Sequence, residues 1–231
     1  MNLFKNVHES WIPLLHSLAY DEPMVSFLDS LQEKSIQPPL ALIFKVFEMP
    51  VQDIKVVILG QNPYPRPGTA VGRAFAIPKE NKKIPAVLSF IKKETLNSKE
   101  LCSANLNWQT LDHWTKQGIF LLNTALTVET DGTSHSDEWR HFTERVVAFI
   151  SKEKPCVWML WGRAKDKWLF IDNSFVMDQY GRENIEHIPV DPEYNYVVTG
   201  EYPTAGEGFA KDGFFMVNEI LSKKSLTKII W

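Results

Sequence analysis

The segment Lys55-Val56-Val57-Ile58-Leu59-Gly60-Gln61-Asn62-Pro63-Tyr64-Pro65 constrains the fold more than any other part of the chain. A short apolar run rich in β-branched residues stops at Gly60 and gives way at once to two carboxamides and a tyrosine held between two prolines. Runs of this length bounded by Gly and Pro are typical of strands buried on both faces. In open α/β sheets, the loop leaving a strand's carboxyl end is where ligands bind. The prolines fix φ and remove amide donors, so the loop is stiff and the side chains of Gln61, Asn62 and Tyr64 are pre-aimed. Such a loop suits a planar, polar ligand.

The rest of the chain alternates similar runs with helical periodicity. Met24, Phe27, Leu28 and Leu31 recur at helical spacing, as do Leu40, Ile43, Phe44 and Phe47. A helix is expected to open near Pro85, because proline is favoured at the first helical position. Ile119–Asn123, Cys156–Trp161 and Tyr196–Thr199 read as further strands. Ser134 with Asp137 forms a capping-box pattern ahead of the amphipathic Trp139, Phe142, Val146, Phe149 and Ile150. Phe214, Val217, Ile220 and Leu221 predict a last helix. Strands alternating with helices imply an α/β fold with a mainly parallel sheet, and right-handed crossovers place the strand ends on one edge. That edge gathers Gln61, Asn62, Tyr64, Asn123, Trp161, Gly162, Thr199, Gly200, Glu201 and Tyr202.

With 231 residues, the chain suits one domain over 1–231 better than two. No signal-peptide pattern opens it, and no segment could span a bilayer. Its two cysteines, Cys102 and Cys156, lack metal-ligand spacing. They point to a reducing, cytoplasmic setting without structural zinc. No His/Cys/carboxylate cluster and no phosphate-cradling Gly-rich motif suggest a metal or cofactor, and none is expected. A formal charge of −3 argues against nonspecific coating of nucleic acid but leaves room for a local patch. Lys79, Lys82, Lys83, Lys92 and Lys93 form one candidate patch and Lys223, Lys224 and Lys228 another, although lysine-rich faces are usually just solvated.

Asn123 closes the apolar run Ile119-Phe120-Leu121-Leu122. It either caps the next turn or uses its adjacent donor and acceptor to read the edge of a pyrimidine. Phe75, in Gly72-Arg73-Ala74-Phe75-Ala76-Ile77-Pro78, is either a core residue or a stacking platform. Phe75, Asn123 and Tyr64 together would make a slot with a stacking face, an edge reader and a steric wall.

These residues resemble those of family 1 uracil-DNA glycosylases. Gly60-Gln61-Asn62-Pro63-Tyr64-Pro65 looks like the family's water-activating motif, usually GQDPYH. The similarity continues through Gly72–Phe75, Ile84-Pro85, Trp114–Gly118, Leu121–Val128, Ser134-His135 and Leu160-Trp161-Gly162, in the family's order. The resemblance implies a three-layer α/β/α domain with a central four-stranded sheet. It also implies DNA as partner with one nucleotide flipped out, a metal-independent monofunctional reaction and a monomer. By resemblance, Phe75 stacks on the base, Asn123 bonds its Watson–Crick edge, Tyr64 blocks a 5-methyl group and Gln61 shapes the pocket. The Ile84-Pro85 turn resembles the family's proline-rich loop that compresses the DNA backbone, Thr204 matches a phosphate-contacting serine of the family, and by the same resemblance His135 and Gly206 fall at further DNA-binding positions.

The motifs also depart from the family's. The usual catalytic Asp is Asn62, the histidine of the His-Pro-Ser-Pro-Leu-Ser loop is Tyr202, the apolar wedge aligns with Gly206, and the His ending the first motif is Pro65. Hydrolysis of a glycosidic bond needs a donor for the departing base anion, negative charge near the oxocarbenium-like sugar, and a placed water. An amide places water without supplying charge. Tyr202, with an ordinary phenol pKa of about 10, can donate. Glu201 is a possible source of the missing carboxylate, though a loop Glu is more often solvent-facing. The expected function is release of uracil or a modified pyrimidine from DNA, leaving an abasic site, in base-excision repair or in defence against base-modified foreign DNA. The alternatives are a catalytically weak or inactive DNA-binding scaffold on a glycosylase fold and, unrelated, a hydrolase of nucleosides or nucleotides.

Overall fold

In the computed structural model, which describes residues 4–18, 21–98, 106–178, 190–205, 209–210 and 212–231, the apolar runs become the middle of a parallel sheet. In chain order the strands are β1 (Ile36–Gln37), β2 (Val56–Gly60), β3 (Ile119–Asn123), β4 (Val128–Glu129), β5 (Val157–Trp161), β6 (Ser174–Asp178) and β7 (Asn195–Gly200). The helices are α1 (Ile12–Leu18), α2 (Glu22–Ser30), α3 (Ala86–Asn97), α4 (Asp112–Thr115), α5 (Ser136–Glu153) and α6 (Gly213–Lys223). The main sheet has the order β3-β2-β5-β7-β6, with every neighbouring pair parallel, while β1 and β4 form a separate antiparallel pair.

Every residue of β2, β3 and β5 is buried, as continuous apolar runs covered on both faces require. Alternate side chains feed two cores. Val57, Leu59, Phe120, Leu122, Trp158 and Leu160 join Trp11, Phe47, Trp139 and Phe142 on one face. Val56, Ile58, Ile119, Leu121, Val157 and Met159 join Trp114, Phe214 and Trp231 on the other. This is the expected α/β/α layering.

The sheet has five strands rather than four. The additional β6 is an edge strand whose Phe175 and Val176 are exposed at 44% and 41%, so it lacks the buried apolar pattern that marks its neighbours. The Leu40–Phe47 periodicity does mark burial of Ile43, Phe44 and Phe47. The backbone there is two short 3₁₀ turns, Leu40–Leu42 and Lys45–Glu48, between Pro39 and Pro50. Helix α3 begins directly after Pro85. The expected capping box does not form at the start of α5: the N-cap is His135, Asp137 pairs with Arg140, and the hydroxyl of Ser134 accepts the Ser136 N–H at 3.1 Å instead. Among the described residues, no helix is long and apolar enough to cross a membrane, and no group of three or more His, Cys, Asp or Glu is arranged to hold a metal ion.

Candidate active site at the carboxyl edge of the sheet

Strand register places Gly60 beside Asn123 and Trp161 beside Gly200. Gly60 has to be glycine for a steric reason. A Cβ there would lie 2.3 Å from Asn123 Oδ1 and 2.9 Å from the Ala74 Cβ. The Asn123 side chain therefore folds over the end of β2, with Ala74 pressed against the same point. Three bonds lock the two strand ends together. Thr124 N–H donates to Gly60 O at 3.0 Å, Ala125 N–H to Gln61 O at 2.9 Å, and the Thr124 hydroxyl to Gln61 O at 3.2 Å. Asn123 is 7% exposed, and among the described residues its carboxamide has no hydrogen-bond partner.

Phe75 is held in an unusual backbone state. Its φ is +65°, a left-handed conformation that costs a non-glycine residue roughly 1–3 kcal/mol. Two bonds impose it: Ala74 N–H donates to Leu121 O on β3 at 3.0 Å, and the Tyr64 phenol donates to Phe75 O at 3.0 Å. Upstream, Gly72 at φ +77° packs so closely on Leu42 O that a Cβ would lie 1.8 Å from it. The Phe75 ring ends 5.8 Å from that of Trp161 at the tip of β5. Backbone strain aiming an aromatic side chain at a strand-end crevice is a usual mark of a functional position.

Tyr202 follows β7 and packs on Gly162, where a Cβ would meet the Tyr202 Cβ at 2.8 Å. Half-burial pushes the Tyr202 phenol above its ordinary pKa. The Tyr64 phenol is also pushed up, chiefly by burial and secondarily by Tyr202. Both phenols are therefore neutral donors at physiological pH.

Asn62 is exposed and accepts a 2.7 Å hydrogen bond from the Ser134 hydroxyl. With Gln61, Thr124, Ser134 and Ser136 it lines a cavity of about 380 Å³ whose far wall carries Arg140, Arg163 and Lys167. Arg140 pairs with Asp137, and Lys167 with Glu144 at 3.0 Å. Among the described residues, Arg163 has no carboxylate partner. Phe75 and Asn123 do not line this cavity and are each 7% exposed. A larger groove of about 660 Å³ lies at the opposite edge, around Lys55, Lys116, Gly118 and Lys154, and touches none of the expected site residues.

Other expectations fare differently. His135 is 2% exposed, with Nδ1 2.9 Å from Thr127 Oγ1 and Nε2 3.3 Å from Glu129 Oε1. Its ring is a buried brace under the Ser134 loop and has no open nitrogen to offer a phosphate. Pro85 is half-buried and Thr204 exposed, and α3 packs beside the Pro203–Ala205 turn, so the two lie on neighbouring elements. Gly206 and Cys102 fall outside the described residues. Glu201 pairs with Lys165 at 2.9 Å on the surface and does not supply the carboxylate absent at position 62. In the second lysine patch, Lys228 pairs with Glu219, and the Lys224 ammonium is held by Pro192 O and Tyr194 O.

Sequence reasoning missed three contributors. The sequence marks Ser134 as part of a capping box and of the Ser134-His135 stretch but gives no sign of its bond to Asn62. Arg163 follows Gly162, just past the end of β5, a position the strand-edge rule covers. Gln109 braces the 77–83 loop by donating to Lys79 O at 3.0 Å and Asn81 O at 3.2 Å, and nothing local in the sequence signals that role.

Comparison with known proteins decides the family. The model for the uracil DNA glycosylase superfamily matches residues 47–204, spanning β2 through the Tyr202 turn. The chain belongs to the uracil DNA glycosylase superfamily. A uracil-DNA glycosylase of Campylobacter jejuni strain RM1221 is 43% identical over 144 residues, a match covering 60% of this chain and 61% of that protein. A uracil-DNA glycosylase of Psychromonas ingrahamii is 34% identical over 233 residues, covering 96% of this chain and 99% of the other. Among solved structures, mimivirus uracil-DNA glycosylase superposes with a TM-score of 0.78 at 23% identity, covering 100% of this chain and 89% of that one. At that identity the likeness is one of fold. The matched span contains Gly60, Phe75, Asn123 and Tyr202.

Proposed function

We propose that this chain is a metal-independent DNA glycosylase that hydrolyses the N-glycosidic bond of a flipped-out uracil or modified pyrimidine and leaves an abasic site. The observation that carries this reading is the Asn123 carboxamide, without a hydrogen-bond partner among the described residues and folded over Gly60 beside Ala74, the chain neighbour of a Phe75 held in a strained backbone state. A carboxamide presents a donor and an acceptor side by side, matching the polar edge of a uracil-like base. Phe75 supplies the stacking face, Tyr64 the wall against a 5-methyl group, and Gln61 the pocket floor.

In the proposed reaction, the bond from C1′ to the base nitrogen breaks and its electron pair leaves with the base. Tyr202 donates a hydrogen bond to the developing anion, and a water positioned by Asn62 adds to the sugar cation. A positioned donor of this kind is typically worth about 10²–10³ in rate. Arg163, which has no carboxylate partner among the described residues, lines the cavity next to Asn62 and suits a phosphate of a polymer. Pro85 and Thr204 are assigned to the DNA backbone on the other side. The same reading takes residues 1–231 as one domain acting as a cytoplasmic monomer, in base-excision repair or against base-modified foreign DNA. A second reading, a DNA-binding scaffold with little or no activity, is favoured by Asn62 standing where a carboxylate is expected while Glu201 is engaged by Lys165.

Single-turnover base release decides between them. Oligonucleotides carrying uracil, thymine or 5-substituted uracils are compared for the wild-type chain and the Phe75→Ala and Asn123→Ala variants. Release by the wild type that both variants lose supports the enzyme. Equal, background-level release from every substrate leaves only the scaffold.

A further inference from the structure

We propose that Ser134 is the positioning residue for Asn62, and that this corner of the site is built to receive an oxygen, including a carboxylate oxygen, at position 62. The evidence is a short chain of hydrogen bonds. Ser136 N–H, in the first turn of α5, donates to Ser134 Oγ at 3.1 Å, and the Ser134 hydroxyl donates to Asn62 Oδ1 at 2.7 Å. Because Ser134 already accepts from Ser136, its own proton is available for Asn62. The 2.7 Å separation is that of an O–H···O bond and shorter than usual for N–H···O, so the network assigns oxygen to this side of the amide. An 18-residue helix carries partial positive charge at its N-terminus, and Ser134 links that end to the side chain at 62.

Ser134 is itself well anchored. The next residue, His135, is clamped by Thr127 and Glu129, and Thr127 also accepts the Trp139 indole N–H at 2.7 Å. Glu129 is in turn held by Lys34 at 2.9 Å. The hydroxyl is therefore a fixed donor, and Asn62, otherwise exposed, takes its orientation from it. One lone pair of Asn62 Oδ1 is used by Ser134, and the other remains free to accept from a water in the cavity. A carboxylate at the same position would place one oxygen on Ser134 and leave the second facing the reaction. The charged groups around position 62 are Asp137 and Arg140 on α5 and Arg163 and Lys167 after β5.

Two measurements test this, and only the kinetic one rests on the glycosylase reading. In base release, Ser134→Ala should lower kcat about tenfold with little change in KM, and Ser134→Thr should restore most of it. Independently of activity, the carboxyl introduced by Asn62→Asp is titrated by NMR with and without Ser134→Ala. Loss of the serine donor should raise that carboxyl's pKa by about one pH unit. Should Ser134→Ala fail to fold, Ser134→Cys, of similar size and a poor donor, replaces it in both measurements. Identical carboxyl titrations with and without the hydroxyl would overturn the inference. A shifted titration with no base release from any variant would uphold it and overturn the enzyme reading instead.

Discussion

The phenol of Tyr64 and the main-chain carbonyl of Phe75 are joined by a 3.0 Å hydrogen bond, and the residue that accepts it is in the left-handed region at φ +65°. Tyr64, proposed as a steric wall, thus also helps hold Phe75, the proposed stacking residue, in its costly conformation. Tyr64→Phe keeps the ring and removes only the hydroxyl. It should lower stability by about 1 kcal/mol in chemical denaturation and slow base release while preserving discrimination against thymine. Lost discrimination with unchanged rate would mean that the hydroxyl acts on the base and not on Phe75.

Gly60→Ala probes the close approach of two strand ends. The added methyl would lie 2.3 Å from Asn123 Oδ1, so the carboxamide has to move while the buried strand beneath stays paired. Overpacking of this kind costs about 1–3 kcal/mol. Base release should fall at least as far as in Asn123→Ala, with cooperative thermal unfolding retained. Wild-type kinetics would show that Asn123 does not act from this position.

The proposed donor role of Tyr202 has a pH dependence. The neutral phenol is the donating form, and burial raises its pKa above the ordinary phenol value, so the donor persists at neutral pH and is lost only at more alkaline pH than for a free phenol. Tyr202→Phe should reduce kcat by about 10²–10³ at every pH between 6 and 9. Tyr202→His should introduce a titration near the ordinary imidazole value of about 6.5, visible as a new limb in the pH–rate profile. A wild-type profile that already shows such a limb would remove Tyr202 from the donor role.

Away from the site, Asn195 is fully buried at the start of β7 with its amide saturated. It accepts from Cys156 N–H and the Trp158 indole, each at 3.0 Å, and donates to Ser151 O at 2.9 Å and Asp172 O at 2.8 Å. Asn195→Leu strands those partners without water. It should destabilise the protein by about 3 kcal/mol in urea unfolding while sparing the relative preference among substrates. A loss under 1 kcal/mol would mean that water or a shifted side chain takes over these bonds.

The middle of the sheet was legible because its strands are covered on both faces. That burial turns Val56–Gly60, Ile119–Asn123 and Val157–Trp161 into uninterrupted apolar runs whose ends can be read directly. The same logic failed for Ser174–Asp178, an edge strand with two apolar side chains in solvent, and overstated helix at Leu40–Phe47, where burial repeats but the backbone turns in 3₁₀ steps. The strand-end rule placed Gln61, Asn62, Tyr64, Asn123 and Tyr202 on one edge, and motif resemblance gave Phe75 its expected stacking role beside them. The resemblance also set His135 among DNA-contacting positions, although that ring is sealed between Thr127 and Glu129.

By itself, then, the sequence determined the buried strands and the longer helices and which chemical groups stand at the strand ends, since periodicity, glycine and proline act through neighbouring residues. Only the tertiary structure decided how those groups face one another. Ser134 reaches Asn62 across 72 positions, Lys165 occupies Glu201, and Asn123 rests on a glycine from another strand. The physical reason is that a hydrogen bond or an ion pair depends on distances of a few ångströms between groups that only folding brings together, and no local pattern along the chain encodes those distances.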